Sequence, residues 1–352
     1  MDQNKKHEEV IEYYGSTLET SEDLKTNACC TIDPPPKYIQ EILSDIHDEV
    51  MSKYYGCGLT IPNQLEGLHV LDLGSGSGRD CYIASKLVGQ KGSVVGVDMT
   101  DSQLAVAHKY VDYHTEKFGF DYANVRFLKG NIDHLDQLDL KENSLDLIIS
   151  NCVINLATQK QKIFTDAFNL LKPGGEMYFS DVYCDRRISP SLQQDKELWG
   201  ECLSGALYWN DFLNFAKNAG FTDPRVVESR PLTIENEELQ EKLGDLQFFS
   251  VTYRLFKLEG LESDCEDYGQ SARYKGTIDR KPHSFDLDDH HNFPTGKMIT
   301  VCGNTYKMLN ETRFKDHFEF FGTWDTHYGI FEGCGQNMPF QEGQGGDAVS
   351  CC

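Results

Sequence analysis

Val70-Leu71-Asp72-Leu73 runs straight into Gly74-Ser75-Gly76-Ser77-Gly78, and the chain from Arg79 onward has helical character. A short apolar strand that breaks into alternating glycines and re-enters a helix is the opening strand, turn and helix of a parallel sheet. Glycine lets a ligand approach bare backbone, and the helix start behind it offers unpaired N–H groups with a positive dipole. The rest of the chain agrees. Short apolar strands are predicted at 69–73, 93–97, 125–128, 145–150 and 177–180, with helices starting at Arg79, Ser102 and Lys160. Runs 225–233 and 248–257 are expected to add two antiparallel strands at the sheet edge. The fold class is therefore α/β, a Rossmann-like sheet with flanking helices, followed by a smaller C-terminal α+β domain. A chain of 352 residues is long enough for both.

The loop also selects its ligand. Its spacing is Gly-x-Gly-x-Gly, not the Gly-x-Gly-x-x-Gly of dinucleotide sites, and Asp72 precedes it where a carboxylate suits an ammonium better than a phosphate. S-adenosylmethionine fits this pattern. Asp98, at the tip of the second strand, is placed to accept from ribose hydroxyls, with Met99 beside it. Ile132 and Asp133, after the third strand, are placed to flank an adenine, the carboxylate meeting its exocyclic amine. Lys172-Pro173-Gly174-Gly175 is expected where a helix ends, a glycine taking the left-handed position.

The chain divides into an N-terminal helical segment with cysteine loops (1–60), an S-adenosylmethionine-binding methyltransferase domain (61–260), a small C-terminal domain (261–332) and a flexible tail (333–352) ending in Cys351-Cys352. Within them, residues 38–54 read as one entry helix, about 185–210 as a lid with a helical stretch at 198–209, 297–301 as a strand and 306–318 as a helix.

A net charge of −23 argues against nucleic acid and anionic membrane as substrates. Residues 1–40 show neither an apolar leader nor a basic transit pattern, so the expected location is cytoplasmic. With no exposed apolar stripe left unassigned, a monomer is expected. Twelve cysteines are many for a reducing compartment, and point to metal, metalloid or redox chemistry more than to disulfides. Cys152, just beyond the fourth strand, falls at the carboxyl end of the sheet, where chemistry occurs. Position alone leaves it balanced between a buried apolar residue and a reactive thiol. Cys81 reads as core packing, Cys184 could face the cleft, and no Cys-x-x-Cys pair of the zinc type is present. Asp288-Asp289-His290-His291 is either a hard-metal cluster or, more commonly, a solvated loop.

The segments Leu24-Lys25-Thr26-Asn27-Ala28-Cys29, Tyr54-Tyr55-Gly56-Cys57-Gly58-Leu59, Leu71 to Cys81, Ser150-Asn151-Cys152-Val153-Ile154-Asn155-Leu156 and Leu198-Trp199-Gly200-Glu201-Cys202 resemble the arsenite methyltransferase family in kind and order over about residues 8–260. The resemblance implies functional thiols at Cys29, Cys57, Cys152 and Cys202, with trivalent arsenic held by Cys57, Cys152 and Cys202. It implies cofactor contacts at Tyr55, Gly74, Gly76, Asp98, Met99, Ile132, Asp133, Asn151 and Val153, to which the loop itself adds Asp72 and Gly78. It further implies methyl transfer to thiolate-bound arsenic, giving mono- and dimethylated arsenicals for detoxification, and a thiol reductant such as thioredoxin or glutathione. The competing readings are a small-molecule C- or O-methyltransferase and a non-catalytic metalloid-binding protein.

Overall fold

The computed structural model describes residues 3–14, 34–54 and 58–334. The N-terminal part holds three helices, α1 (Gln3–Glu12), α2 (Lys37–Leu43) and α3 (Asp48–Ser52). The expected entry helix at 38–54 is thus two pieces. His47 is extended, and its imidazole accepts the Glu49 N–H as the N-cap of α3, with Asp48 and Glu49 in the first turn favouring a fresh helix start there.

The sheet domain follows as β1 (His69–Leu73), α4 (Arg79–Val88), β2 (Ser93–Asp98), α5 (Asp101–Lys109), α6 (Val111–Phe118), β3 (Val125–Lys129), β4 (Leu145–Asn151), α7 (Lys160–Leu170) and β5 (Leu171–Cys184). Beyond it come α8 (Lys196–Gly200), β6 (Leu207–Tyr208), α9 (Trp209–Ala219), β7 (Arg225–Pro231), α10 (Glu237–Leu243) and β8 (Phe248–Phe256). The strand order is β3-β2-β1-β4-β5-β8-β7, with β6 also paired to β5. The first five strands are parallel, while β8 runs antiparallel to β5 and β7 antiparallel to β8.

Alternation sends successive side chains to opposite faces. Val70, Leu147, Ile149 and Tyr178 pack with Ile39 and Ile83 on one side. Leu71, Ile148, Met177 and Phe179 pack with Phe164 and Phe212 on the other. Burying a side chain such as Phe164 stabilises by roughly 1.5–3 kcal/mol. Lys172-Pro173-Gly174-Gly175 corrects the expectation of a helix cap. It lies inside β5, where Gly174 has φ +81° and its N–H bonds to Lys257 O at 2.8 Å, and the β4–β5 register shifts beside it.

The remaining strands and helix are β9 (Glu266–Asp267), β10 (Gln270–Tyr274), β11 (Ser284–Asp286), β12 (Asn292–Pro294), β13 (Met298–Val301), α11 (Gly303–Asn310), β14 (Phe318–Phe321) and β15 (Gly329–Ile330). The β10 strand lies between β13 and β14, over a core of Phe256, Tyr274, Phe285, Phe293, Phe314 and Phe318. The helix expected at 306–318 instead starts at Gly303 and stops at Asn310, and the chain is extended from Phe318. Among the described residues no helix is long and apolar enough to cross a membrane.

Candidate active site

The glycine loop lies at the carboxyl ends of β1 and β2, the binding edge of such sheets. Gly74 has φ +75°, and a Cβ there would meet Val153 Cγ2 at 2.4 Å, so both backbone and space require glycine. Gly78, φ +91°, caps α4 and is hemmed in by Phe127, so its role is to turn the chain. Asp98 fastens the loop: Oδ2 accepts Gly76 N–H at 2.9 Å and Oδ1 accepts Thr100 N–H at 2.8 Å. Burial raises its pKa against the pull of those bonds.

The loop opens on a cleft lined by Asp72, Gly74, Gly76, Asp98, Met99, Ile132, Asn151, Cys152 and Val153. Asp72 is 3% exposed, and its carboxyl is pushed up to about 8, first by burial and then by Asp80. Cys81, read as core packing, is buried and donates its thiol hydrogen to Asp72 Oδ2 at 3.2 Å. Asn151 donates to Tyr54 Oη (2.6 Å), Gly58 O (2.9 Å) and Asp80 Oδ2 (3.2 Å), while the Arg79 guanidinium lies 3.1 Å from the Tyr54 ring centroid. Both flanks of the 55–57 segment are thereby pinned to the cofactor loop.

Asp133 departs from its expected place beside an adenine. Fully buried, its carboxylate accepts from Thr158 Oγ1 (2.7 Å), Thr158 N (3.0 Å) and Gln159 N (2.9 Å), and meets His7 Nε2 at 2.8 Å. Against the upward push of burial, these bonds hold its pKa below the usual carboxylate range. Asp133 therefore anchors the start of α7 and the N-terminal helix, and Asn131 and Ile132 line the cleft in its stead.

Sequence reasoning missed the cover of this cleft. His7, Val10 and Tyr14 of the N-terminal segment line it, and Gln103 of α5 donates to Tyr14 O at 3.4 Å. Ser75 Oγ and Gln103 Oε1 are buried there without a hydrogen-bond partner among the described residues. Orphaned acceptors beside a glycine loop and a buried carboxyl suit a ligand that carries hydroxyls, an exocyclic amine and an ammonium. S-adenosylmethionine fits these residues.

Cys152 and Cys202 meet at the chemical end of the cleft. Cys202 Sγ donates to Cys152 O at 3.2 Å, and Tyr14 Oη lies 3.9 Å from the same sulfur. Both residues are non-glycine with positive φ, +54° at Cys152 and +60° at Cys202. Left-handed backbone costs an ordinary side chain roughly 1–2 kcal/mol. Cys152 is disulfide-bonded, whereas the buried Cys184 is a free thiol. Beneath them burial pushes Asp181 up to about 7 and Lys160 down to about 8, and the Lys160 ammonium lies 5.0 Å from the Trp199 ring centroid. These two and Trp199 carry no motif beyond the Leu198-Trp199 pair.

Cys29, Cys57 and Tyr55 lie outside the described residues, as do Cys30 and the tail from 335. The lid carries a 3-10 turn at Leu192–Gln194 and the short helix α8 before β6, and Cys202 sits in the turn that follows α8. His291 Nδ1 hydrogen-bonds with Asp288 Oδ1 at 2.7 Å with Arg225 alongside, and no set of three or more metal-ligating side chains converges among the described residues.

A family model described as a methyltransferase domain matches residues 64–220, and one described as the arsenite methyltransferase C-terminal domain matches residues 269–338. An arsenite methyltransferase of Aquipseudomonas alcaligenes is 55% identical over 98% of this chain and 100% of its own length. That of Rattus norvegicus is 47% identical over 89% of this chain and 85% of its own. A crystal structure of an arsenic(III) S-adenosylmethionine methyltransferase from Chlamydomonas reinhardtii superposes with a TM-score of 0.82 at 50% identity, covering 85% of this chain and all of that one. Fold and cleft define an S-adenosylmethionine-dependent methyltransferase. The chain belongs to the arsenite methyltransferase family.

Proposed function

We propose that this protein methylates trivalent arsenic held by its own cysteines. The observation that carries the reading is the pairing of Cys152 and Cys202, from segments fifty residues apart, in strained backbone at the mouth of the cofactor cleft. Trivalent arsenic is soft and prefers thiolates, and three sulfurs around a pyramidal centre leave its lone pair directed outward. Cys152 and Cys202 serve as the primary pair, Cys57 as third ligand and Cys29 as the thiol that enters when a ligand leaves.

S-adenosylmethionine supplies an electrophilic methyl group on a sulfonium. Asp72, Gly74, Gly76, Asp98, Met99, Ile132, Asn151 and Val153 would hold and orient it, with Tyr55 as a further contact. The thiols would hold arsenic with its lone pair turned toward the cofactor, and no general base is needed. Tyr14, Trp199 and the lid exclude water. Transfer raises arsenic by two oxidation units. A pair of cysteines returns two electrons to it and closes a disulfide, which keeps the product trivalent; the disulfide at Cys152 supports this cycle. A thioredoxin-type dithiol, at about −270 mV, or glutathione then reopens that bond by thiol exchange.

Successive rounds give mono- and dimethylated products, in a detoxification role for a cytoplasmic monomer. The test is incubation with arsenite, S-adenosylmethionine and a dithiol, with arsenic species separated by chromatography and mass detection. Methylated arsenic from the wild type and none from Cys152→Ser is expected; none from either, with cofactor bound, would overturn the reading.

A further inference from the structure

Four consecutive residues of the lid, Trp199 to Cys202, are each met by the N-terminal segment 3–14. The Lys6 ammonium lies 4.4 Å from the Trp199 ring centroid. A Cβ at Gly200 would meet Tyr13 Cδ1 at 2.8 Å, and Gly200 O accepts from Tyr14 Oη at 2.8 Å. Tyr13 Oη donates to Glu201 Oε1 at 2.7 Å, and Tyr14 Oη lies 3.9 Å from Cys202 Sγ. The same segment faces the cofactor cleft. His7, Val10 and Tyr14 line it, His7 is fixed to Asp133 at 2.8 Å, and the Tyr14 carbonyl accepts from Gln103 Nε2 at 3.4 Å. Tyr14 stands where the two sets of contacts meet: its ring packs on the cluster that holds Cys152 and Cys202, its carbonyl is held from the cleft and its hydroxyl holds the lid. Packing alone would need only the ring.

We propose that Tyr14 is a positioning residue that seats Cys202 when the cofactor cleft is filled, so that the arsenic site is complete only in the cofactor-bound protein. This rests on Cys202 being an arsenic ligand, as proposed above. One short run of helix carries both sets of contacts, so a ligand that fixes Tyr14 on the cleft side also fixes the turn 200–202 on the other. The free energy of cofactor binding then opposes opening of the lid, and by linkage a closed lid tightens cofactor binding to the same extent. An ordered reaction follows. With S-adenosylmethionine bound first, arsenite meets a sulfur already held beside the methyl donor; arriving first, it meets a Cys202 that nothing in the cleft holds in place.

The test follows Cys202 without arsenic, so its outcome does not depend on methyl transfer. The full chain is reduced with a phosphine, and alkylation by iodoacetamide is read at each cysteine by peptide mass mapping, with and without S-adenosylmethionine. Where lid opening and cofactor binding exclude each other, cofactor at about ten times its dissociation constant slows alkylation of Cys202 about tenfold. Cys265, half-buried in the C-terminal part, should react at one rate throughout. In Tyr14→Phe, which keeps the ring and loses the hydroxyl, protection should fall below about twofold at the same cofactor saturation. Gly200→Ala, whose Cβ forces Tyr13 off the lid, should lose it in the same way. In turnover at saturating cofactor, Tyr14→Phe should raise KM for arsenite about tenfold with kcat unchanged. Full protection of Cys202 in both folded variants, or none in the wild type with cofactor bound, would overturn the proposal. Protection present in the wild type and lost in the variants, with no methylated arsenic from the wild type, would support the coupling and overturn only arsenic as the acceptor.

Discussion

Asp72 is a carboxyl that burial keeps protonated near neutral pH, its pKa pushed up to about 8. In the unfolded chain it ionises near 3.8, so between those values the folded protein binds the extra proton. Its stabilising contribution is complete below the unfolded value and is lost as pH rises through about 8. An ammonium placed against it reverses that preference and expels the proton. Affinity for S-adenosylmethionine is therefore expected to tighten with rising pH, by close to tenfold per unit well below the free pKa of about 8, between pH 6 and 7.5. Calorimetry in buffers of different ionisation enthalpy should register proton release, and Asp72→Asn should flatten the rise and bind more weakly. A pH-independent affinity in the wild type would remove Asp72 from the ammonium site. At the thiols, Cys202→Ser should lower kcat/KM for arsenite by at least about a hundredfold, roughly 2.7 kcal/mol of transition-state stabilisation, while leaving cofactor affinity unchanged. If turnover with arsenite survives, Cys202 is a packing residue.

The N-terminal helix shows what a pattern along the chain can and cannot reveal. Its polarity identified a helix, and its use as cover for the cleft rests on the contact between His7 and Asp133, 126 residues apart. The two ends of that contact are expected to behave differently. His7→Ala removes one contact from a carboxylate that keeps Thr158 and Gln159, so it should weaken cofactor binding several-fold with little change in melting temperature. Asp133→Ala orphans buried donors at the start of α7 and should cost about 1–3 kcal/mol in a denaturant melt. Equal losses of stability would show α1 to be structural rather than a cover. The same division runs through the site. The positions of β1, β2 and Asp98 were legible because period-two apolar runs and a glycine turn are local chemistry. The observed contacts of Asp133 differ from the expectation because being four residues past a strand does not fix which way a carboxylate turns. The break at His47 was written in Asp48-Glu49, but the continuous apolar spacing from Ile39 to Val50 outweighed it. Gln103, Lys160 and Asp181 reach the site through tertiary contacts alone, without any spacing to announce them.

The sheet domain and the C-terminal part are fastened through buried acids, Asp288 with Arg225 and, more centrally, Glu176. Glu176 on β5 is fully buried and receives Arg254 Nε at 2.5 Å, with the Arg313 guanidinium on its other oxygen, while Arg254 also donates to Leu287 O at 2.6 Å. Arg254 comes from the antiparallel strand β8, between β5 and the edge strand β7, and Arg313 from the turn after α11, so β8 joins the two halves. Replacing a buried pair with well-packed apolar groups can be nearly neutral, but removing one member leaves charge uncompensated. Glu176→Ala strands two buried guanidinium groups and is expected to cost about 3–5 kcal/mol. In calorimetry the C-terminal part should melt separately from the sheet. None of these residues faces the cofactor cleft, so the kcat of the folded fraction at low temperature should match the wild type. A single cooperative melt with reduced kcat would instead mean that this buried cluster transmits strain to the cleft through β5, whose far end carries Asp181 beneath Cys152.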